Sequence, residues 1–567
     1  MKNVKNLFGM AVMATALVGC SSNDNLNPNA NYNAGKAGTA YAKFTIQLPT
    51  VSGTRADDPK PGTPSFEGGT ADEYAVKDAQ LLIFQKSGDK EGDYTFVETV
   101  NIGNLEPWTN NTPNTGVTRY ANITAQLNGV SLDKTGNEYF ALVILNNDGQ
   151  SKVTLPTTTG TTYSDWNVAA NAKGAAAFLK SDNGFYMANA PLYSTGEPTT
   201  LVPIKGVYST KAEAQTNPAT TVYVERGMAK VTVNGSDFTI DDALSTYNTD
   251  QVKINQWTLD VLNKSTFPVH VTTGLKKDFD AIWTTPRFVA TGSTPQRVYW
   301  GIDPNYDKTT LTTVPACQDE FYIVDNNGKT YNGDHSSTFT WSEKATPLYC
   351  LENTFDINNM KQGETTRVLF KATYTPAAVA SQKDKTFFMI GNNPKIWTKT
   401  TLEQQISSKV NDLLNSTSAS VTINADAALL KAGSHKIAAA DITITGADAT
   451  SLKYDELNTK LGLDNTPGIK TYENGECYYI ARIKHFNELT HWETGKPTYG
   501  GDNASYLGRY GVLRNNWYDL TVSKVSAPGY PDVPEVNPKD PDDEDTKFIN
   551  VEVKILDWAK RSQQVEL

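Results

Sequence analysis

The 567-residue chain is poor in the side chains on which most enzyme active sites depend. It has four cysteines and five histidines, and none of the histidines belongs to a His-Glu-x-x-His, Gly-x-Ser-x-Gly or Cys-His arrangement with catalytic spacing. A Cys-x-x-Cys pair, which suits a zinc site, and a glycine-rich phosphate loop are both missing. We therefore predict that the protein is not an enzyme, with no catalytic residue, no metal site and no cofactor.

Positive charge is also scarce. The chain has 51 Lys and Arg against 62 Asp and Glu, for a formal net charge of −11. Residues 1–55 contain five basic residues and one acidic residue, so their removal would leave −15. This balance argues against nucleic acid or anionic lipid as the main partner.

The apolar run near the start, Leu7 to Val18, is too short to cross a bilayer, which takes about 20 residues. Lys2 and Lys5 precede it, and it ends in Leu17-Val18-Gly19-Cys20, which resembles a bacterial lipobox. We expect residues 1–19 to be a lipoprotein signal peptide, with a simple secretory signal as the alternative. The exported precursor would then be held in outer-membrane lipid through acylated Cys20.

Three further cysteines, Cys317, Cys350 and Cys477, remain after Cys20. An odd number cannot all pair within one chain. Either Cys317 and Cys350 form a disulfide, or all three are small buried apolar residues.

Short runs of β-branched and aromatic residues, separated by Ser, Thr, Asn and Gly, predict an all-β fold of two tandem β-sandwich domains. We place the domains at residues 56–240 and 241–526, with an insert near 375–468 that contains the best helix candidate, Thr401 to Leu414. In the first domain, strands are predicted over 79–85, 94–102, 117–127, 139–145, 221–225 and 228–233.

The start of the chain, after a flexible lipid tether, contains a strand that a protease could release. Ala42, Phe44, Ile46 and Leu48 alternate with polar residues, which predicts a half-buried strand. A polar, Gly-containing stretch follows, and its single Arg55 precedes Ala56. Cleavage between Arg55 and Ala56 would remove residues 20–55 as a propeptide, freeing both the lipid and the groove of this strand.

The end of the chain has a matching strand. Ile549, Val551, Val553 and Ile555 alternate with polar residues, and residues 527–547 before them are rich in Pro and Asp. We predict a solvated linker carrying a donor strand, residues 548–567, with no partner in its own sequence neighbourhood. The donor strand would enter the groove of another copy by β-strand addition. The alternative is that both are ordinary terminal strands of one sandwich.

Six segments of the sequence carry a resemblance to a known family: Val222 to Val231, Trp257 to Lys264, Tyr349 to Thr354, Thr366 to Tyr374, Leu513 to Leu520 and Val551 to Trp558. They resemble the fimbrillins of Bacteroidales, in particular the shaft subunit of the short, or minor, fimbria. The resemblance runs from end to end of the chain but not through 375–468.

The resemblance implies transthyretin-like sandwich domains, maturation by an Arg-specific protease and head-to-tail polymerisation by strand exchange, with Trp558 in the donor strand. It implies a location in a fimbria at the bacterial surface and a role in adhesion, biofilm formation and virulence. Its implied partners are other copies of the chain, anchor and tip subunits, the protease and receptors on host or bacterial surfaces. A surface glycan-binding lipoprotein and a fimbrial tip adhesin are the alternatives. We also expect Arg514 to pair with a carboxylate such as Glu352.

Overall fold

The structure is a computed structural model that describes residues 39–49, 70–105, 109–110, 117–132, 138–179, 183–235, 237–284, 288–289, 295–324, 341–485, 507–542 and 549–557. Among these residues, no helix has both the length and the apolar character needed to cross a membrane.

Ten strands and four short helices make up the N-terminal part of the described chain. The strands are β1 (Ala40–Pro49), β2 (Ala79–Gln85), β3 (Thr95–Asn101), β4 (Thr109–Asn110), β5 (Val117–Leu127), β6 (Tyr139–Leu145), β7 (Met187–Asn189), β8 (Leu192–Tyr193), β9 (Val202–Pro203) and β10 (Thr220–Arg226). The helices are α1 (Ala71–Tyr74), α2 (Tyr163–Trp166), α3 (Ala175–Phe178) and α4 (Lys211–Thr216).

Nine of these strands form one sheet in the order β3-β2-β6-β7-β10-β1-β5-β4, with β9 paired to β6, while β8 pairs with a strand of the C-terminal part, Gln296–Arg297. Three strands of the sheet, β2, β6 and β7, are buried on both faces over most of their length. Leu81 and Ile83 of β2 face a core that β1, β5 and β10 close, whereas Leu82 and Phe84 face a second core that includes α2 and α3. Period-two alternation thus serves two cores at once.

The C-terminal part contains the remaining elements. Its strands are β11 (Ala229–Asn234), β12 (Phe238–Thr239), β13 (Gln251–Asp260), β14 (Leu262–Asn263), β15 (Gln296–Arg297), β16 (Phe321–Tyr322), β17 (Leu348–Cys350), β18 (Arg367–Thr375), β19 (Phe387–Ile390), β20 (Ser420–Ile423), β21 (Gly433–His435), β22 (Ile442–Thr445), β23 (Ile469–Tyr472), β24 (Glu476–Arg482), β25 (Asn516–Val525) and β26 (Ile549–Asp557). Its helices are α5 (Leu275–Asp278), α6 (Val314–Glu320), α7 (Lys399–Leu414) and α8 (Tyr454–Lys460).

Two four-stranded sheets, β17-β11-β25-β26 and β12-β13-β18-β24, form the sandwich of this part. β11 pairs antiparallel with β17 and parallel with β25. Our placement of residues 228–233 in the first domain is therefore wrong, because the chain passes to the second sandwich at Gly227. Alternation shows which face of a strand is buried, but not which sheet the strand joins.

The insert has a core of its own. The sheet β19-β23-β21 and the pair β20-β22 pack with one face of α7, where Leu402, Ile406 and Val410 are buried. The predicted helix at Thr401 to Leu414 is confirmed, and Thr398 caps its start by accepting a hydrogen bond from Thr401 N.

The all-β fold class is confirmed, since strands far outnumber helices in the described chain. The three cysteines Cys317, Cys350 and Cys477 are buried free thiols, so the Cys317–Cys350 disulfide is not formed.

Candidate strand-exchange site at the two chain ends

The N-terminal strand β1 lies in a groove between two strands of the first sheet. It pairs antiparallel with β5 along its whole length, Ala40 to Pro49. On its other side, Phe44 to Gln47 pair parallel with β10. Both edges of β1 are therefore hydrogen-bonded, which makes it an internal strand of the sheet.

The inward side chains of β1 are part of the hydrophobic core that lies beneath the groove. Ala42, Phe44 and Ile46 are fully buried, and Leu48 is 3% exposed. Burying a Leu, Ile or Phe side chain is worth roughly 1.5–3 kcal/mol. On the outward face, Lys43 Nζ donates to the Gln215 carbonyl next to the groove, at 3.0 Å. If β1 left, an open groove with an apolar floor would remain.

Helix α1 lies near the C-terminal end of β1 and connects this end of the groove to the second sandwich. Arg119, which pairs with Leu48, lies 4.1 Å over the Tyr74 ring. The buried carboxylate of Glu73 meets Lys230 Nζ at 2.6 Å and accepts from the Tyr349 hydroxyl at 2.7 Å. Burial opposes ionisation of Glu73, but these contacts outweigh it and lower its pKa.

A second buried charge cluster joins the two parts of the chain. Glu225 of β10 contacts His270 Nδ1 at 2.8 Å and Arg297 Nη2 at 2.9 Å. Burial opposes ionisation of Glu225, but both neighbours favour it and the pKa falls. Next to it, Arg514 Nε donates to Glu352 at 3.2 Å, which confirms the predicted pair. Because every member is buried, removing one would leave an unpaired charge.

The C-terminal strand β26 pairs antiparallel with β25 of its own chain. In the register, Ile549, Val551, Val553 and Ile555 lie opposite Val525, Val522, Leu520 and Tyr518. The prediction that this strand has no partner in its own sequence neighbourhood is therefore wrong for this structure, because β25 is the strand before it in the chain. β26 is, however, at the edge of its sheet, and β25 is its one hydrogen-bonded neighbour among the described strands.

The Pro-rich segment before β26 lies on the second sandwich. We call residues 527–542 the strap. Val533 and Val536 are buried, and Asp542 is completely inaccessible to solvent. Tyr530 exchanges two backbone hydrogen bonds with Tyr478 of β24, at 2.7 and 2.8 Å. The prediction of a solvated linker is wrong for these residues.

Two arginines that sequence reasoning missed hold the strap. Arg367 Nη2 donates to the Pro534 carbonyl, and Arg482 Nε donates to the Asp542 carbonyl, both at 2.7 Å. They are 115 positions apart in sequence, but β18 and β24 place them directly opposite each other. The signal available in the sequence was an Arg at the start of the run 367–374 and another at the end of the run 476–482, both rich in apolar residues.

The other predicted site residues, Cys20, Arg55, Ala56 and Trp558, lie outside the described residues. Within the residues that the structure describes, no group of three or more His, Cys, Asp or Glu could hold a metal ion. Asp303 is buried and accepts from Thr354 N at 2.7 Å and Asn305 N at 2.6 Å. It fixes two loops of the second sandwich.

The fold and the two terminal strands define an all-β protein with an internal first strand and an edge last strand. Residues 470–564, from β23 through the strap to the tail, match the family described as major fimbrial subunit protein type IV, fimbrillin, C-terminal. In this C-terminal region the chain is similar to the fimbrillin family.

Several solved structures are similar to the chain at low sequence identity. A candidate cell adhesion protein from Parabacteroides distasonis is 11% identical, with a TM-score of 0.37, over 93% of this chain and 99% of that one. A fimbrilin from Porphyromonas gingivalis is 11% identical, with a TM-score of 0.36, over 91% and 96%. The tip fimbrial protein Mfa3 of the same species is 10% identical, with a TM-score of 0.27, over 92% and 100%. A search of curated protein sequences gave no match.

Proposed function

We propose that the chain is the shaft subunit of a short fimbria, exported as a lipoprotein through Cys20 and matured by cleavage after Arg55. The observation that carries the proposal is the position of β1, an internal strand whose removal opens a groove with an apolar floor. In a polymer, residues 548–567 of the next copy fill this groove.

The energetic argument compares the two places that β26 can occupy. In its own chain it is an edge strand with β25 on one side. In the groove that β1 leaves, it gains two neighbours, β5 and β10, and an apolar floor. Each additional backbone hydrogen bond contributes about 0.5–1.5 kcal/mol net. Exchange is therefore favourable only after β1 has gone, which couples polymerisation to proteolysis.

The same cleavage separates the subunit from the lipid on Cys20, because both the anchor and β1 precede Arg55 in the chain. We propose that the fimbria grows from an anchor subunit, carries a tip subunit and supports adhesion to host or bacterial surfaces. The negative net charge of the mature chain argues against a nucleic-acid partner.

The test is to purify the precursor and image it by electron microscopy before and after treatment with an Arg-specific protease. We expect monomers before cleavage and fibres after it, with Ala56 as the new N-terminus. The Arg55→Ala variant should stay monomeric. The Lys36→Ala variant, which removes a different basic residue of the propeptide, should behave as the wild type. Fibres from uncleaved Arg55→Ala would refute the proposal.

A further inference from the structure

The strap and β26 are held to the second sandwich in different ways. β26 is an edge strand paired with β25. The strap combines backbone pairing, buried side chains and hydrogen bonds from buried polar groups. Besides the contacts above, Tyr472 and Tyr479 donate their hydroxyls to the Gly529 and Ala527 carbonyls, at 2.9 and 3.0 Å. A Cβ at Gly529 would collide with the Tyr478 carbonyl, so the backbones touch there.

The strap also completes one of the apolar clusters of the sandwich. Val536 packs with Val261, Leu311, Cys317, Phe321 and Ile323, all buried. Pulling the strap away would expose these side chains to water. Exposing buried apolar side chains to water is unfavourable, so the cluster opposes release of the strap.

Arg367 and Arg482 raise the cost further. Two like charges directly opposite each other in adjacent strands repel. Asp260 compensates Arg367, with its Oδ2 at 2.8 Å from Nε. Among the described residues, the acceptor for the Arg482 side chain is the Asp542 carbonyl of the strap. Without the strap, the Arg482 guanidinium would lose this acceptor while a second positive charge stays beside it.

We propose that the strap stays in place during strand exchange, and that only the part of the tail beyond Asp542 leaves its own sandwich. This inference rests on the proposed function. Arg367 and Arg482 are then positioning residues, which fix the point from which the donor strand departs. The partner of the departing strand is a second copy of this chain.

With the strap fixed, the donor strand can extend only a short distance from its own subunit. From Asp542 to Ile549 the chain has seven residues, which span at most about 25 Å when fully extended. A tether free from Ala527 would have 22 residues and span about 75 Å. The groove of the next subunit must therefore lie close to Asp542, which favours a stiff shaft with one subunit spacing.

Two disulfide clamps test which part moves. Lys361→Cys with Pro541→Cys joins the end of the strap to the sandwich, since these residues form an antiparallel bridge. Thr521→Cys with Glu552→Cys joins β25 to β26 at paired positions. Facing residues of antiparallel strands lie within disulfide distance. The native thiols at Cys317, Cys350 and Cys477 are buried and do not compete.

After cleavage by the Arg-specific protease, oxidised Lys361→Cys/Pro541→Cys protein should form fibres with the same yield as its reduced form. Oxidised Thr521→Cys/Glu552→Cys protein should form none, and a reductant should restore them. Loss of fibres in the strap clamp alone, reversed by reductant, would overturn this inference but leave strand donation intact. Fibres from the oxidised tail clamp would overturn the proposed function as well. The four single-cysteine variants control for the substitutions themselves.

Discussion

Truncating one inward side chain of β1 should lower the stability of the precursor but not that of the fibre. Phe44 is fully buried and lies opposite Ile123 of β5 in the register. A buried Phe→Ala change costs roughly 3–5 kcal/mol, from the lost transfer free energy and the cavity left behind. For a domain of this size, each kcal/mol lowers the melting temperature by about 2–4 °C. Phe44→Ala should therefore lower the melting temperature of the uncleaved precursor by on the order of 10 °C.

The fibre should not be affected, because residue 44 leaves with the propeptide and a strand from the next copy replaces it. The measurement is differential scanning calorimetry of the precursor and of fibres assembled after cleavage. Thr45→Ala is the matched control on the outward face, where the Thr45 hydroxyl donates to Asn122 Oδ1 at 2.7 Å, and we expect a loss within about 1 kcal/mol there. Fibres of Phe44→Ala that melt as much below wild type as the precursor would show that β1 stays in the groove.

Three further predictions concern the tail, a buried acid and the lipid. Val553→Asp should abolish elongation by placing an unpaired carboxylate in an apolar groove, whereas Glu552→Gln on the opposite face should be mild; equal fibre yields in electron microscopy would contradict this. Burial raises the pKa of Glu364 from 4.5 to about 8, so the folded state prefers the neutral acid and stability falls as the pH rises from about 4.5 to about 8. Glu364→Gln should raise the melting temperature at pH 8 but not at pH 4; an equal shift at both would refute the assignment. Cys20→Ala should prevent surface fimbriae on cells without changing the circular dichroism of the purified protein, and normal fimbriae on those cells would count against lipid-dependent export.

The sequence by itself determined the class of fold and the identity of most strands. The alternation at Ala42 to Leu48 predicted which side chains of β1 are buried, because side chains of a strand point to opposite faces in turn. The Arg514–Glu352 pair followed from the residue types near two strand ends. The match between the four alternating apolar residues of β1 and the four of the tail also needed nothing beyond the sequence.

Only the tertiary structure decided where each strand pairs and where the strap lies. Alternation at 228–233 is the same in either sandwich, so the pairing of β11 with β17 and β25 could not be read from it. The Pro- and Asp-rich composition of 527–547 predicted a solvated linker, because Pro has no N–H to give to a sheet. Proline nevertheless keeps its carbonyl, and Pro534 accepts from Arg367, which the chain places 167 residues away. A hydrogen bond to a distant donor depends on the folded arrangement of β18 and β24, and local composition carries no information about it.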